Sequence, residues 1–156
     1  MKLTILATSD IHSYLFPTDY TNRSAESPLG LFKVASVLQK EKMENENSIL
    51  TIENGDFIQG SPLSQYVKNH YQTPKILGSA LNELDFDVSI IGNHEFNYGL
   101  DYLNEYIAQI NHPVLSANIL TKEGNYFADC PAKIIEKNGL KIGILGLTTQ
   151  YIPHWE

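Results

Sequence analysis

The stretch SILTIENGD, residues 48–56, joins a short apolar strand to a polar turn. We assign the strand to Ser48–Ile52 and the polar turn to Asn54-Gly55-Asp56. Two further apolar runs, Leu3–Thr8 and Val88–Ile91, also lead directly into polar loops. The same strand-to-loop unit therefore occurs three times, which predicts three strands of one sheet with polar groups at their ends.

Segments of strand and helix character alternate along the chain, which is the pattern of an α/β sheet whose strands are connected by helices. The other predicted strands are Val114–Ala117, Ala132–Glu136 and Leu140–Leu147. The predicted helices are Leu29–Asn45, a helix that begins at Pro62, Pro74–Leu84 and Leu100–Ile110. The pair Asn138-Gly139 is preferred in tight hairpin turns, so we expect the last two strands to be antiparallel. The fold class predicted from these elements is α/β, with a mixed sheet flanked by helices.

The composition indicates a globular domain and argues against several classes of protein. With 156 residues, 42% of them hydrophobic, the chain can bury a core, and no apolar run approaches the roughly 18 residues of a membrane span. A net charge of −7 argues against a nucleic-acid polymer as partner, because such binding depends on Lys and Arg. The single cysteine, Cys130, excludes an internal disulfide. The apolar stretch Leu3–Ala7 is too short for a signal sequence, so we expect a cytoplasmic protein unless a leader has been removed.

The polar loops after the first three strands carry the residues suited to chemistry. We call them loop 1 (residues 9–13), loop 2 (residues 54–60) and loop 3 (residues 92–98). In open α/β sheets, ligands bind beyond the carboxyl ends of the strands, so these loops are the first place to search for a site. Loop 1 contains Asp10 and His12, which we expect to lie in an extended segment with both side chains on one face. Carboxylate and imidazole together suit a divalent transition metal.

Loops 2 and 3 add further groups that can bind a metal or transfer a proton. Loop 2 carries Asp56 directly after a glycine, which would let the backbone bend towards a shared site. Loop 3 carries Asn93, which can coordinate a metal through its carbonyl oxygen, and His94, which can act as an acid near neutral pH.

Each loop also has an ordinary interpretation when it is considered alone. Asp10 and His12 can be a surface pair at a strand end, and Asn54-Gly55 can be a plain turn. His94 can be a structural histidine that is bonded to a backbone carbonyl. Chance would rarely place metal-competent groups at three successive strand ends, so the three loops together favour a shared metal site.

Taken as a set, these motifs resemble those of a known enzyme family. Asp10-x-His12, Gly55-Asp56-x-x-Gln59 and Gly92-Asn93-His94-Glu95 are similar to the first three motifs of the calcineurin-like metallophosphoesterases. The longer stretches NGDFIQGSPL, residues 54–63, and GNHEFNYGL, residues 92–100, resemble the nucleotidase branch of that family, especially the 2′,3′-cyclic-nucleotide 2′-phosphodiesterase/3′-nucleotidases. The resemblance extends through essentially the whole chain, including the last predicted strand.

The resemblance implies a fold and a role for five residues. The fold would be the N-terminal part of an αββα-type sandwich. Two divalent cations, chosen among Mn, Zn, Fe, Mg and Ca, would be bound, with Asp10 and His12 on the first, Asp56 bridging both and Asn93 on the second. His94 would be the catalytic imidazole, and Asn93 and His94 would also contact the substrate.

Two departures from the family pattern affect the expected activity. The 5′-nucleotidase relatives have an Asp at the position of Asn97, and Asn followed by Tyr98 resembles the cyclic-phosphodiesterase branch. The family also uses further histidines downstream, two of them in a Gly-His-x-His motif, which residues 1–156 do not contain. We therefore expect residues 1–156 to be the N-terminal portion of the catalytic domain, without its C-terminal half and without a nucleotide-specificity domain.

The expected function is two-metal hydrolysis of nucleotide phosphoesters, of the 2′,3′-cyclic-nucleotide phosphodiesterase/3′-nucleotidase type. The alternatives are a 5′-nucleotidase or UDP-sugar hydrolase of the same family, and an inactive fragment that lacks the downstream histidines. The expected partner is a nucleotide or another small phosphoester, with no nucleic-acid polymer and no membrane, and the oligomeric state is left open.

Overall fold

A four-stranded parallel sheet forms the centre of the fold. The computed structural model describes residues 2–21, 27–45 and 48–155. The strands of this sheet are β1 (Thr4–Thr8), β2 (Ile49–Glu53), β3 (Val88–Ile90) and β4 (Val114–Leu115), in that spatial order. Every pair of neighbours is parallel, so the carboxyl ends of the strands lie side by side at one edge of the sheet.

Helices connect the strands, as the alternating pattern predicts. These are α1 (Leu31–Glu44), α2 (Pro62–Tyr71), α3 (Lys75–Asn82) and α4 (Leu100–Gln109), and a fifth helix, α5 (Ile152–Trp155), follows the last strand. Helix α2 begins after Ser61, whose hydroxyl accepts a hydrogen bond from the Ser64 backbone N–H at 3.1 Å. Pro62 suits the first helical position because its nitrogen needs no partner there. No helix in the described part of the chain is long and apolar enough to cross a membrane.

The predicted elements are confirmed, with shifts at their ends. The strand predicted at Val114–Ala117 is only two residues long. Beyond it, the backbone N–H of Ser116 donates to Cys130 O at 3.1 Å, and that of Ala117 donates to Gly146 O at 2.8 Å. The one-turn helix α5 follows the last strand and was not predicted from the sequence.

The last two strands form a hairpin. They are β5 (Ala132–Lys137) and β6 (Leu140–Leu145), and they are antiparallel. Asn138 and Gly139 have φ values of 50° and 73°, the left-handed pair that a two-residue type I′ turn requires. The predicted hairpin is therefore confirmed, and so is the α/β fold class.

In the described residues the parallel and antiparallel strands lie in two separate sheets. The hairpin meets the parallel sheet at its base and near its tip. At the base, Cys130 forms a β-bridge with Leu115. Near the tip, Lys137 Nζ lies 2.6 Å from Asp87 Oδ1. Between these contacts the hairpin strands do not pair with β4, so the ladder of the parallel sheet does not continue into them.

The core anchors the segment that carries the predicted site. Ile49, Leu50 and Thr51 of β2 are buried on alternate faces, as is typical of a parallel strand that is covered on both sides. Phe57 and Ile58 of loop 2 are fully buried as well. Burying a side chain of this size stabilises a fold by about 1.5–3 kcal/mol. Loop 2 begins with polar residues, but the two residues that follow Asp56 anchor it in the core.

His112 is a buried histidine away from the three loops. Its Nε2 lies 2.7 Å from Ser89 Oγ on β3. Burial lowers the pKa of His112 to about 4, although Asp85, Asp87 and Asp129 favour its protonated form. An unfolded chain would protonate this histidine at an ordinary value of about 6.5.

We expect the free energy of unfolding to decrease as the pH falls from about 6.5 to about 4, because only the unfolded chain binds a proton at His112 in that range. Replacement His112→Gln should keep a hydrogen bond to Ser89 and flatten this dependence. Thermal unfolding at several pH values measures it, with His70→Gln as the control because His70 is exposed. Equal slopes for His112→Gln and the unmodified chain would contradict the prediction.

Candidate metal centre

Loops 1 and 2 lie side by side beyond the ends of β1 and β2. Two backbone hydrogen bonds continue the strand ladder between them. The N–H of Asp10 donates to Gly55 O at 3.1 Å, and the N–H of His12 donates to Asp56 O at 2.9 Å. These bonds fix the position of one loop against the other.

Loop 1 is not extended, so that part of the prediction is wrong. Asp10 and His12 have φ values of 57° and 50°, in the left-handed region, and Asp56 in loop 2 has a φ of 59°. The two side chains still approach each other, with 4.0 Å between His12 Nε2 and Asp10 Oδ1. Ser9 Oγ donates a short hydrogen bond to the other oxygen of Asp10.

Side chains from all three loops meet at this edge of the sheet. In the described part of the chain, possible ligand atoms of His12, Asp56 and His94 lie within 4.8 Å of one another. The rings of His12 and His94 meet edge to face, with 5.1 Å between their centroids. Asp10 lies at the outer side of this group and its side chain is 62% exposed. Four of the five predicted site residues are thus close together.

Asn93, the fifth predicted residue, directly precedes His94 in loop 3. Its backbone oxygen accepts a hydrogen bond from the Phe96 N–H at 3.2 Å, where the chain forms a 3₁₀ turn over His94–Phe96. The N–H of His94 donates to Asp56 Oδ1 at 2.8 Å. Asn93 is therefore next to His94, whose N–H connects loop 3 to loop 2. The roles of Asn93 as a metal ligand and in substrate binding stay predictions.

Both histidines of the cluster are oriented through Nδ1. His12 Nδ1 lies 2.6 Å from the backbone oxygen of Gln59, and His94 Nδ1 lies 2.6 Å from Asn97 Oδ1. Because a carbonyl oxygen can only accept, these contacts assign the proton to Nδ1 in each ring. Each Nε2 then has a lone pair available for a metal or for a proton. Asn97 is thus the orienting partner of His94, which the sequence had left uncertain.

Two glycines allow the backbones of loops 2 and 3 to touch. A Cβ atom on Gly55 would lie 2.4 Å from the Gly92 nitrogen, and Gly55 also has a φ of 85°. A Cβ atom on Gly92 would lie 2.3 Å from Asp56 Oδ1 and 2.5 Å from the Asp56 nitrogen. Any side chain at either position would push Asp56 away from loop 3.

The Glu95 carboxylate lies beneath the cluster and accepts four backbone hydrogen bonds. Oε2 accepts from the N–H of Gly92 at 2.7 Å and of Asp56 at 2.8 Å. Oε1 accepts from the N–H of Phe57 at 2.5 Å and of Ile58 at 3.3 Å. The sequence marked Glu95 as part of a motif but gave it no role, because three of its four contacts are with loop 2, 37 to 39 positions away.

A second carboxyl group, that of Glu53, is buried at the end of β2. Its Oε1 accepts a hydrogen bond from the Gly55 N–H at 2.9 Å. Burial raises the pKa of Glu53 well above its usual range, and the nearby Glu95 carboxylate raises it further. The sequence analysis missed Glu53, although an acidic residue at the end of an otherwise apolar strand was a signal that could have identified it.

The other histidines do not belong to this cluster. His70 packs on Tyr66 with 4.2 Å between the ring centroids, and His154 packs on Tyr151 at 5.0 Å. His112 bonds to Ser89, as described above.

A comparison with protein families decides which family contains these motifs. Residues 3–150 match the model of the calcineurin-like phosphoesterases. The chain belongs to this family. The resemblance drawn from the three motifs is thereby confirmed, and the members of the family are phosphoester hydrolases that use divalent metals.

Curated relatives of the chain include enzymes that hydrolyse nucleotides. It is 38% identical, over its full length, to the 2′,3′-cyclic-nucleotide 2′-phosphodiesterase/3′-nucleotidase of Salmonella typhimurium and covers 26% of that protein. It is 34% identical, again over its full length, to the trifunctional nucleotide phosphoesterase protein YfkN of Bacillus subtilis and covers 12% of it. The chain therefore spans about a quarter or less of the length of these relatives.

Solved structures confirm the α/β fold with a parallel sheet flanked by helices. A Staphylococcus aureus protein assigned as a 5′-nucleotidase, in complex with alpha-ketoglutarate, superposes with a TM-score of 0.91 at 39% identity, over 97% of this chain and 29% of that one. The Bacillus subtilis YfkN structure superposes with a TM-score of 0.82 at 34% identity, over 98% of this chain and 50% of that one.

The donor atoms of the cluster fit a divalent transition metal. Possible ligand atoms of His12, Asp56 and His94 converge, and Asp10 Oδ1 lies 4.0 Å from His12 Nε2. Imidazole suits transition metals such as Fe and Zn, whereas Mg and Ca prefer oxygen ligands. The orientation of both rings by hydrogen bonds at Nδ1 is also typical of histidines that bind metals.

Replacement Gly92→Ala should weaken metal binding, because the new Cβ would displace Asp56. We expect the dissociation constant for Mn²⁺ to rise about 10–100-fold, the range seen when the groups that support metal ligands are disturbed. Isothermal titration of the chain with Mn²⁺ measures the effect. Gly143→Ala is the matched control, since a Cβ atom there meets nothing within 4 Å. Unchanged affinity in Gly92→Ala would refute the close-approach explanation.

Proposed function

We propose that this chain provides metal ligands and the catalytic histidine for hydrolysis of nucleotide phosphoesters, with 2′,3′-cyclic nucleotides and 3′-nucleotides as substrates. The observation that carries the proposal is the convergence of His12, Asp56 and His94 within 4.8 Å at the end of the parallel sheet. Similarity to the Salmonella enzyme over the full length of the chain supports the choice of substrate.

In this proposal Asp10 and His12 bind one divalent cation, Asn93 binds the other and Asp56 contacts both. Asp56 suits a bridging position because it lies between loop 1, through His12, and loop 3, through His94. When bound, such cations would lower the pKa of a coordinated water from about 15.7 to roughly 7 and neutralise phosphate oxygens. Water, substrate oxygens or further side chains would complete the coordination, since four protein ligands do not saturate two cations.

With Nε2 protonated, His94 donates that proton to the leaving ribose oxygen as the P–O bond breaks. The water that adds to phosphorus loses a proton, which replaces the one that His94 gives up. The Nδ1 proton is held by Asn97 Oδ1 at 2.6 Å, so Nε2 is the atom that transfers the proton. Such a step contributes about 10²–10⁴-fold to a rate. The net charge of −7 over residues 1–156 disfavours an anionic substrate, and the cations would offset that repulsion.

A 5′-nucleotidase is the second candidate. The similarity to the Staphylococcus aureus structure favours it, whereas Asn97, in place of the Asp of 5′-nucleotidases, favours the cyclic-phosphodiesterase type.

Phosphate release and product analysis with 2′,3′-cyclic AMP, 3′-AMP, 5′-AMP and UDP-glucose, in the presence of Mn²⁺, distinguish these candidates. A preference for 5′-AMP or UDP-glucose would reject the proposed substrates. No hydrolysis of any of them while Mn²⁺ is bound would favour the inactive-fragment alternative. The cytoplasmic location stays a prediction.

Replacement Asp56→Asn should reduce turnover of 2′,3′-cyclic AMP below detection, because it weakens the ligand that both cations share. The Mn²⁺ stoichiometry should fall in parallel, which isothermal titration measures. Asp101→Asn is a suitable control, since Asp101 is an exposed residue in the first turn of α4. Near-normal turnover in Asp56→Asn would rule out the two-metal mechanism.

Replacement His94→Ala should lower kcat about 10²–10⁴-fold while Mn²⁺ remains bound, because its role is proton transfer. Replacement Asn97→Ala should lower kcat by a smaller factor, since it only releases the ring. In the double variant we expect no loss beyond that of His94→Ala, because Asn97 acts through His94. Loss of all bound Mn²⁺ in His94→Ala would instead identify His94 as a metal ligand.

A further inference from the structure

We propose that Glu95 is a positioning residue whose carboxylate fixes Asp56 for metal binding by joining loop 2 to loop 3. The inference rests on the proposed function only in taking Asp56 as a metal ligand. Glu95 itself touches neither the cation nor the substrate in this account.

The hydrogen bonds of Glu95 are divided between the two loops. Gly92 in loop 3 and Asp56 in loop 2 share Oε2, while Phe57 and Ile58 in loop 2 share Oε1. The residue is 2% exposed, so water does not compete for these donors. Hydrogen bonds to a charged acceptor are stronger than those between neutral groups. Four of them at one buried carboxylate therefore hold the loops together at the point where their backbones touch.

Hydrogen bonds fix both the backbone conformation and the side-chain orientation of Asp56. The backbone N–H of Asp56 donates to Glu95 Oε2 at 2.8 Å. Asp56 has a left-handed φ of 59°, which non-glycine residues rarely adopt. Its Oδ1 accepts from the His94 N–H, so the carboxylate orientation is also fixed by loop 3. Without Glu95, Asp56 would keep its side-chain contact but lose the bond that maintains its backbone conformation.

The geometry distinguishes glutamate from its two nearest replacements. Because each oxygen accepts two N–H donors, glutamine would place its own NH₂ group against a pair of N–H donors in either orientation of the amide. Aspartate would keep the charge, but its side chain is one methylene shorter and cannot reach all four donors. A carboxylate of glutamate length is thus required.

The test uses Glu95→Gln in the full chain and compares it with Asp87→Asn. Asp87 is a matched control, because its carboxylate accepts the Thr51 N–H at 2.8 Å and pairs with Lys137 at 2.6 Å, at the other end of the strands. We expect both replacements to lower the melting temperature. At a temperature where both variants are folded, Glu95→Gln should bind Mn²⁺ about 10–100-fold more weakly, while Asp87→Asn should retain the affinity of the unmodified chain.

A second measurement does not depend on metal. Amide hydrogen exchange of the metal-free chain should accelerate at residues 56–58 and 92 in Glu95→Gln, and at residue 51 only in Asp87→Asn. Should Glu95→Gln fail to fold, Glu95→Asp serves in its place, because it keeps the charge; we expect intermediate Mn²⁺ affinity and faster exchange at the same amides.

Unchanged Mn²⁺ affinity in folded Glu95→Gln overturns the proposal, and so does an equal loss in Asp87→Asn. A failure of the proposed function would look different. The unmodified chain would then bind Mn²⁺ and lose it in Glu95→Gln, yet hydrolyse none of the four nucleotides.

Discussion

The close approach of loops 2 and 3 is the constraint on which the cluster depends. Gly55 and Gly92 leave no Cβ atoms where the two backbones touch. The Glu95 carboxylate holds the N–H groups of both loops, and the buried side chains of Phe57 and Ile58 fix loop 2 to the core. Metal ligands must be placed to within a few tenths of an ångström. Rigid backbone on both sides of Asp56 meets that requirement better than a mobile loop would.

Carboxyl groups are concentrated at the same end of the sheet. The Asp10 carboxylate is exposed and that of Asp56 is half-buried, while Glu53 and Glu95 are buried. Burying carboxyl groups is unfavourable unless hydrogen bonds or opposite charges compensate, and backbone N–H groups provide the compensation at Glu95. A bound cation would add positive charge close to these carboxyl groups. The electrostatics of this edge and its proposed chemistry are therefore consistent.

The sequence predicted the strands, the helices and the loops that carry the site to within a few residues. It did so because apolar runs, proline positions and the Asn138-Gly139 pair are local signals. It also identified four residues that the structure brings together, Asp10, His12, Asp56 and His94. The reason given for Asp10 and His12 was wrong, since both residues have a left-handed backbone and loop 1 is not extended.

The sequence by itself determined the fold class, the family and the residue types at the strand ends, because each of these is written in contiguous stretches. Only the tertiary structure decided that Asn97 orients His94, that the hairpin has a sheet of its own, and that Glu95 accepts four N–H groups. The bonds of Glu95 to loop 2 join residues 37 to 39 positions apart. No local pattern specifies contacts at that separation; they exist because parallel strands bring their carboxyl ends to one edge of the sheet.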